Sequence, residues 1–125
     1  MLQHMRDHTP HIFDFVFLDA NKKGYVDYVK FLMGEESGSS GGGRAMLSDN
    51  ALLVVDNTLW KGMVLQEVPS LAEGKSEGGG RMQKLAAAMH AFNMHCKEHP
   101  QLSPVLLPIR DGLTIVRYTA KTTIQ

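Results

Sequence analysis

Apolar residues along this chain fall into blocks of two periods, and the first four blocks stop at an acid, a glycine or a proline. Ile12 to Leu18 opens the stretch FDFVFLDANKK, which runs from Phe13 to Lys23. It is a short apolar run with Val16 and three phenylalanines, broken only by Asp14. A run of that length and content predicts a strand buried on both faces, as in a parallel sheet covered by helices. After the Asp19 turn, Tyr25, Tyr28, Val29 and Leu32 recur at i, i+3, i+4 and i+7, one face of a helix that Gly34 ends. Ala51 to Val55 is a second continuous apolar run, closed by Asp56 and Asn57. From Arg81 the spacing returns to threes and fours through Met82, Leu85, Met89, Phe92 and Cys96. Ala86 to Ala88 add helix propensity, and the helix stops before Pro100. Val105 to Ile109 and Leu113 to Tyr118 read as two strands around Arg110, Asp111 and Gly112, and the Asp-Gly pair is a hairpin signal. The predicted order is strand, helix, strand, helix, hairpin: an α/β fold with a mostly parallel sheet, an antiparallel carboxyl-terminal hairpin and helices on its faces.

The stretches between these blocks are polar. Residues 1–11 carry His4, His8 and His11 and read as a frayed helix or a linker; a metal held by the three histidines competes with a plain solvated segment. Residues 35–44 are a Gly and Ser tract too poor in apolar groups to pack, and read as a flexible insertion. They are not a phosphate cradle, because Arg44 and Ala45 stand where a P-loop needs Lys and then Ser or Thr. Residues 61–80 read as a surface connection, and residues 121–125 as a tail. The folded part is thus expected over residues 12–120.

Totals narrow the function classes. At 125 residues the chain suits one domain that buries roughly two-thirds of its unfolded surface. Thirteen basic and thirteen acidic residues leave no global field for nucleic acid or anionic membrane. Cys96 is the only cysteine, so no intrachain disulfide forms, and a reducing, cytoplasmic setting is expected. On the apolar helix face it reads as a small core residue rather than a nucleophile. No apolar run approaches the roughly 20 residues of a membrane span, and the first residues lack a secretory apolar stretch. His95 and His99 have the i, i+4 spacing of a zinc pair, but without an adjacent glutamate or a third ligand they read as an exposed polar face.

Two strands that end in carboxylates point to one shared site, because open α/β sheets place ligands at the carboxyl ends of their strands. Asp19 closes the first of these strands, and Asp56 and Asn57 close the second. Turn and helix-cap chemistry explains the same residue types without any ligand.

FDFVFLDANKKGY, ALLVVDNTLWKG, AFN at Ala91 to Asn93 and LLPIRDGLTIVRY resemble, in the family's order, the carboxyl-terminal half of the S-adenosylmethionine-dependent O-methyltransferases of the caffeoyl-CoA and catechol type. DNTLW is most similar to the caffeoyl-CoA branch. The resemblance implies a partial Rossmann-like methyltransferase sheet. It implies a divalent cation, magnesium foremost, on Asp19, Asp56 and Asn57, with Asp19 also at the cofactor. It implies Lys22 as the base, with Lys23 as the neighbour that could take its place in the alignment. Burial and the cation would lower the Lys22 pKa. Trp60 is implied as a wall for a small aromatic hydroxyl substrate, and Asp111 as a further substrate-side acid.

The pattern is also broken. Asn21 stands where the family usually has an acid, SDNA at Ser48 to Ala51 replaces a Pro-Gly-Gly turn, and the Gly-Ser insertion precedes it. Nothing before Phe13 supplies the family's glycine-rich loop or its ribose-binding acid, so the amino-terminal cofactor-binding half is expected to be missing. The Ile12 to Leu18 strand would then be an unpaired apolar edge with an uncovered face. A homodimer or a complementing chain is the expected remedy. A truncated gene product, an incomplete gene model, a non-enzymatic interaction module and a degenerate fragment remain the other readings.

Overall fold

The computed structural model describes residues 8, 11–35, 43–67 and 80–122. From residue 11 on, the regular elements among the described residues are, in chain order, β1 (Phe13–Leu18), α1 (Tyr25–Met33), β2 (Leu47–Asp56), α2 (Arg81–Glu98), β3 (Leu102–Leu107) and β4 (Leu113–Tyr118). Short 3-10 turns occupy Lys22–Gly24 and Met63–Glu67. The strands form one sheet in the order β1-β2-β4-β3. β1 and β2 are parallel, while β4 is antiparallel to both β2 and β3. The predicted α/β sheet with its antiparallel hairpin is therefore present. Its parallel share is the single β1–β2 pair, because the hairpin returns β4 directly against β2.

Local chemistry sets where each element stops. Asn21 Oδ1 accepts the Lys23 N–H at 3.4 Å and opens the turn into α1. Gly34 closes α1 in the left-handed region at φ 79°, its N–H directed to the Lys30 and Phe31 carbonyls. α2 ends at His99, whose extended backbone is what a residue before proline favours. β2 begins four residues before the predicted Ala51. Its SDNA segment is a bulge: Phe13 and Phe15 pair with Leu47 and Leu52, so two steps along β1 face five along β2. β3 covers Leu102–Leu107 rather than Val105 to Ile109. Pro104 is tolerated because β3 is an edge strand. Of the expected insertion and connection, residues 36–42 and 68–79 lie outside the described residues, as do residues 1–7, 9–10 and 123–125.

Both helices cover the same face of the sheet. Tyr25 and Val29 of α1 and Met89, Phe92 and Cys96 of α2 form one core with Leu53, Val55, Val116 and Tyr118. The Tyr25 and Phe92 rings meet edge to face at 5.6 Å and 76°. On the other face Phe15, Phe17 and Val105 are 59%, 56% and 58% exposed. Cross-strand pairing puts Phe17, Val54, Ile115 and Val105 in one row over all four strands. β1 is thus buried on one face, not two, and it lies at the sheet edge.

The helix histidines are not an exposed face. His95 and His99 are half-buried, with ring centroids 5.5 Å apart. His99 Nε2 lies 3.1 Å from Glu35, while His95 Nε2 is buried without a hydrogen-bond partner. No cluster of three or more His, Cys, Asp or Glu suited to a metal occurs among the described residues. Burial first, and then His99 and Lys30, lower the His95 pKa, although Glu35 and Glu98 pull it up. The unfolded chain therefore binds this proton more readily than the folded one. Stability is expected to be full above about pH 6.5 and to fall on acidification below it. Urea midpoints from pH 7.5 to 5.5 check this, and His95→Gln should flatten the slope. Burial also pushes the Cys96 thiol up to about 12, in keeping with a core residue.

Candidate active site

The parallel pairing decides where the acids go. Leu18 pairs with Val55, so Asp19 and Asp56 follow side by side from the carboxyl ends of neighbouring strands, which lie about 4.8 Å apart. Asp56 pairs with Leu113 of the antiparallel β4, which brings Asp111 and Gly112 against Asn57 and Thr58. Asp19, Lys22, Asp56, Asn57, Trp60 and Asp111 therefore all lie at one end of the sheet, Asp56 as the last residue of β2 and the others in the turns and loops there.

Lys22 Nζ donates to Asp19 Oδ1 at 2.9 Å and sits 5.4 Å from the centroid of the Tyr25 ring. The lysine side chain is 15% exposed and the aspartate 49%. Burial lowers the Lys22 pKa, but the hydrogen bonds to Asp19 and Tyr25 more than offset it, and the net shift is upward. Asp19 thus stabilises the ammonium and offsets the burial on which the expectation of a lower pKa partly rests. Tyr25, fully buried, links the two acids: its ring lies under Lys22 and its hydroxyl donates to the Asp56 carbonyl at 3.5 Å. Burial raises the Tyr25 pKa and Lys22 opposes the rise.

The loop after β2 is strained and tightly held. Asn57, Trp60 and Lys61 have φ of 62°, 47° and 56°, left-handed values that cost roughly 1–3 kcal/mol each in non-glycine residues. Asp56 Oδ1 accepts the Asn57 N–H at 2.7 Å. Thr58 N–H donates to the Gly112 carbonyl at 3.2 Å and Leu59 N–H to the Asp111 carbonyl at 2.9 Å. Asn93 Nδ2 donates to the Thr58 carbonyl at 2.8 Å, and Thr114 Oγ1 to Thr58 Oγ1 at 2.8 Å. The Trp60 indole N–H reaches the Met82 carbonyl at 3.1 Å, tying the loop to the start of α2. Gly112, at φ 84°, permits the close approach, since a Cβ there would stand 2.6 Å from the Leu59 nitrogen.

Asp111 is turned into this loop rather than outward. Its Oδ1 accepts the Lys61 N–H, and its Oδ2 accepts from Asn57 Nδ2 at 3.4 Å. Tyr25, Thr58, Asn93 and Thr114 carry no predicted role. Asn93 among alanines and methionines of an apolar helix was the one visible signal. The two threonines are buried polar residues that only the β2–β4 pairing explains.

Asp19, Asp56 and Asn57 bring two carboxylates and one carboxamide to the carboxyl ends of β1 and β2, the kind of oxygen groups that a hard divalent cation takes. Over residues 1–119 the chain matches the O-methyltransferase family. It belongs to that family. It is 27% identical to the O-methyltransferase ankF of Aspergillus thermomutatus over 97% of this chain and 47% of that protein. It is 29% identical to a caffeoyl-CoA O-methyltransferase of Petroselinum crispum, over 84% of this chain and 36% of that one. The SAH-bound methyltransferase PaMTH1 of Podospora anserina superimposes with a TM-score of 0.67 at 26% identity, covering 94% of this chain and 46% of that one. The chain thus spans half or less of the length of these relatives, and its sheet is a partial methyltransferase fold. No helix among the described residues is long and apolar enough to cross a membrane.

Proposed function

We propose that this O-methyltransferase-family chain is the cation- and acceptor-binding part of an S-adenosylmethionine-dependent enzyme that methylates a hydroxyl of a catechol-like or caffeoyl-type acceptor. By itself it does not turn over. The observation that carries this reading is the placement of Asp19 and Asp56–Asn57 at the ends of two parallel neighbours, with Lys22 hydrogen-bonded to Asp19.

Asp19, Asp56 and Asn57 would hold a divalent cation, magnesium foremost, and Asp19 would also border the cofactor. When bound, the cation supplies positive charge that lowers the pKa of an acceptor hydroxyl, and S-adenosylmethionine supplies an electrophilic sulfonium methyl group. Lys22 is the amine we assign to receive the hydroxyl proton; it must first lose its own proton and leave Asp19, a carboxylate that otherwise favours the ammonium. Trp60, pinned through its indole N–H, offers a fixed wall for an aromatic ring. The net exchange moves one methyl group from sulfur to oxygen and one proton from that oxygen to the amine. The absence of turnover by this stretch alone is proposed because its candidate site, among the described residues, supplies cation- and acceptor-side groups.

A second reading, a non-enzymatic interaction or complementation module, is favoured by the open sheet. The β1 edge and the row Phe17, Val54, Ile115 and Val105 form an apolar surface that a homodimer or a complementing chain would cover.

Titration calorimetry with Mg2+ and then S-adenosylmethionine, with sedimentation of the same samples at several concentrations, separates the two. The first reading expects cation binding without cofactor binding. Cofactor binding by the monomer would overturn the claim that it cannot act alone, and no cation binding would overturn the metal role. A monomer at every concentration counts against self-association.

A further inference from the structure

We propose that Asp111 is a positioning residue that fixes which atom of the Asn57 carboxamide faces the candidate cation site. This rests on the cation reading above. A carboxamide offers an oxygen on one side and an NH2 on the other, and the two are nearly the same size, so only a partner selects between them. Asp111 is such a partner. An ionised carboxylate only accepts hydrogen bonds, so it can take Asn57 Nδ2 but not Oδ1. With Nδ2 directed to Asp111 Oδ2 at 3.4 Å, Asn57 Oδ1 is turned the other way, as a cation ligand must be.

Asp111 is itself held at two points. Its carbonyl accepts the Leu59 N–H at 2.9 Å, and its Oδ1 accepts the Lys61 N–H. One residue therefore grips the Asn57 loop from both ends, across a sequence separation of 54. A partner that orients a metal ligand typically affects cation affinity about 10–100-fold.

The test compares two variants, and its sense is unusual. In Asp111→Asn, the new oxygen can keep the Lys61 N–H, which leaves the new NH2 facing Asn57. Asn57 must then turn its own oxygen toward that NH2 and away from the cation. In Asp111→Ala, Asn57 is merely released. Mn2+ affinity is expected to fall about tenfold in Asp111→Ala and about 100-fold in Asp111→Asn. A structural role alone predicts the opposite order, since the amide keeps more contacts than alanine. Circular dichroism melts of both variants confirm that folded chains are being compared.

Side-chain 15N–1H spectra read the orientation without any cation. The Asn57 Nδ2 protons should exchange slowly in the parent chain and fast in Asp111→Ala. Equal exchange in the two, or Asp111→Ala binding more weakly than Asp111→Asn, would overturn the proposal. A parent chain with slowly exchanging Asn57 protons and no Mn2+ binding would overturn the metal reading, and with it the cation part of this inference, while upholding the orientation.

Discussion

Asp56→Ala is expected to weaken Mn2+ or Mg2+ binding by more than about 100-fold, beyond what the loss of an orienting partner costs. The fold should survive. Asp56 contributes one of two carboxylates in the candidate set, and its Oδ1 also accepts the N–H of Asn57, another proposed ligand, at 2.7 Å. Alanine thus removes a negative donor and loosens a second ligand in one change. Its carbonyl contact with Tyr25 is backbone and remains. Calorimetric titration alongside a far-ultraviolet spectrum checks the prediction. A variant that still binds within about threefold of the parent would place the cation elsewhere, since a lost orienting partner alone costs about tenfold.

Phe92→Ala should have the largest effect on stability, a loss of about 3–5 kcal/mol. That is a large share of the ~5–15 kcal/mol typical of a domain. Phe92 is fully buried and forms the edge-to-face contact with Tyr25 that joins α2 to α1. Removing the ring leaves a cavity between the helices and under Tyr25, whose hydroxyl reaches the Asp56 carbonyl. Cation binding should weaken along with stability, even though Phe92 is not itself a proposed ligand. Urea unfolding measures the first effect. A loss below about 1 kcal/mol would mean that the helices repack, since a truncated core ring otherwise costs several times that. Phe92→Leu, which keeps most of the volume, should cost less.

The two predictions differ in how far the sequence alone could have reached them. Asp56 was visible because a buried apolar run that ends in an acid places that acid at a strand's carboxyl end, whatever the rest of the fold does. Phe92 was visible as one point on a helical stripe, but its partner was not. Asp111 shows the limit most clearly. Its Asp-Gly context signalled a turn, and the family resemblance implied a substrate-side acid. Its contacts with Asn57 and Lys61 depend on β4 lying antiparallel beside β2, with Asp56 opposite Leu113. Lys22 was found as a candidate base, yet the direction of its pKa shift followed from a 2.9 Å contact that spacing cannot supply.

By itself the sequence determined the elements and most of their stops, though not the start of β2 or the bounds of β3: the apolar runs of β1 and β2, the helical stripes of α1 and α2, the Gly34 cap and the antiparallel hairpin. These are local, because period, propensity and turn chemistry act within a few residues. It also determined the family, through four blocks kept in order. Tertiary structure decided what depends on residues far apart in the chain. Both helices lie on one face because Tyr25 and Phe92 pack on each other, which leaves Phe15, Phe17 and Val105 exposed on the other. The loop after β2 holds its left-handed residues because Asn93, Asp111, Gly112 and Thr114 grip it from α2, the hairpin turn and β4. Strain of that kind persists only where several distant contacts oppose it, and no single stretch of sequence records their sum.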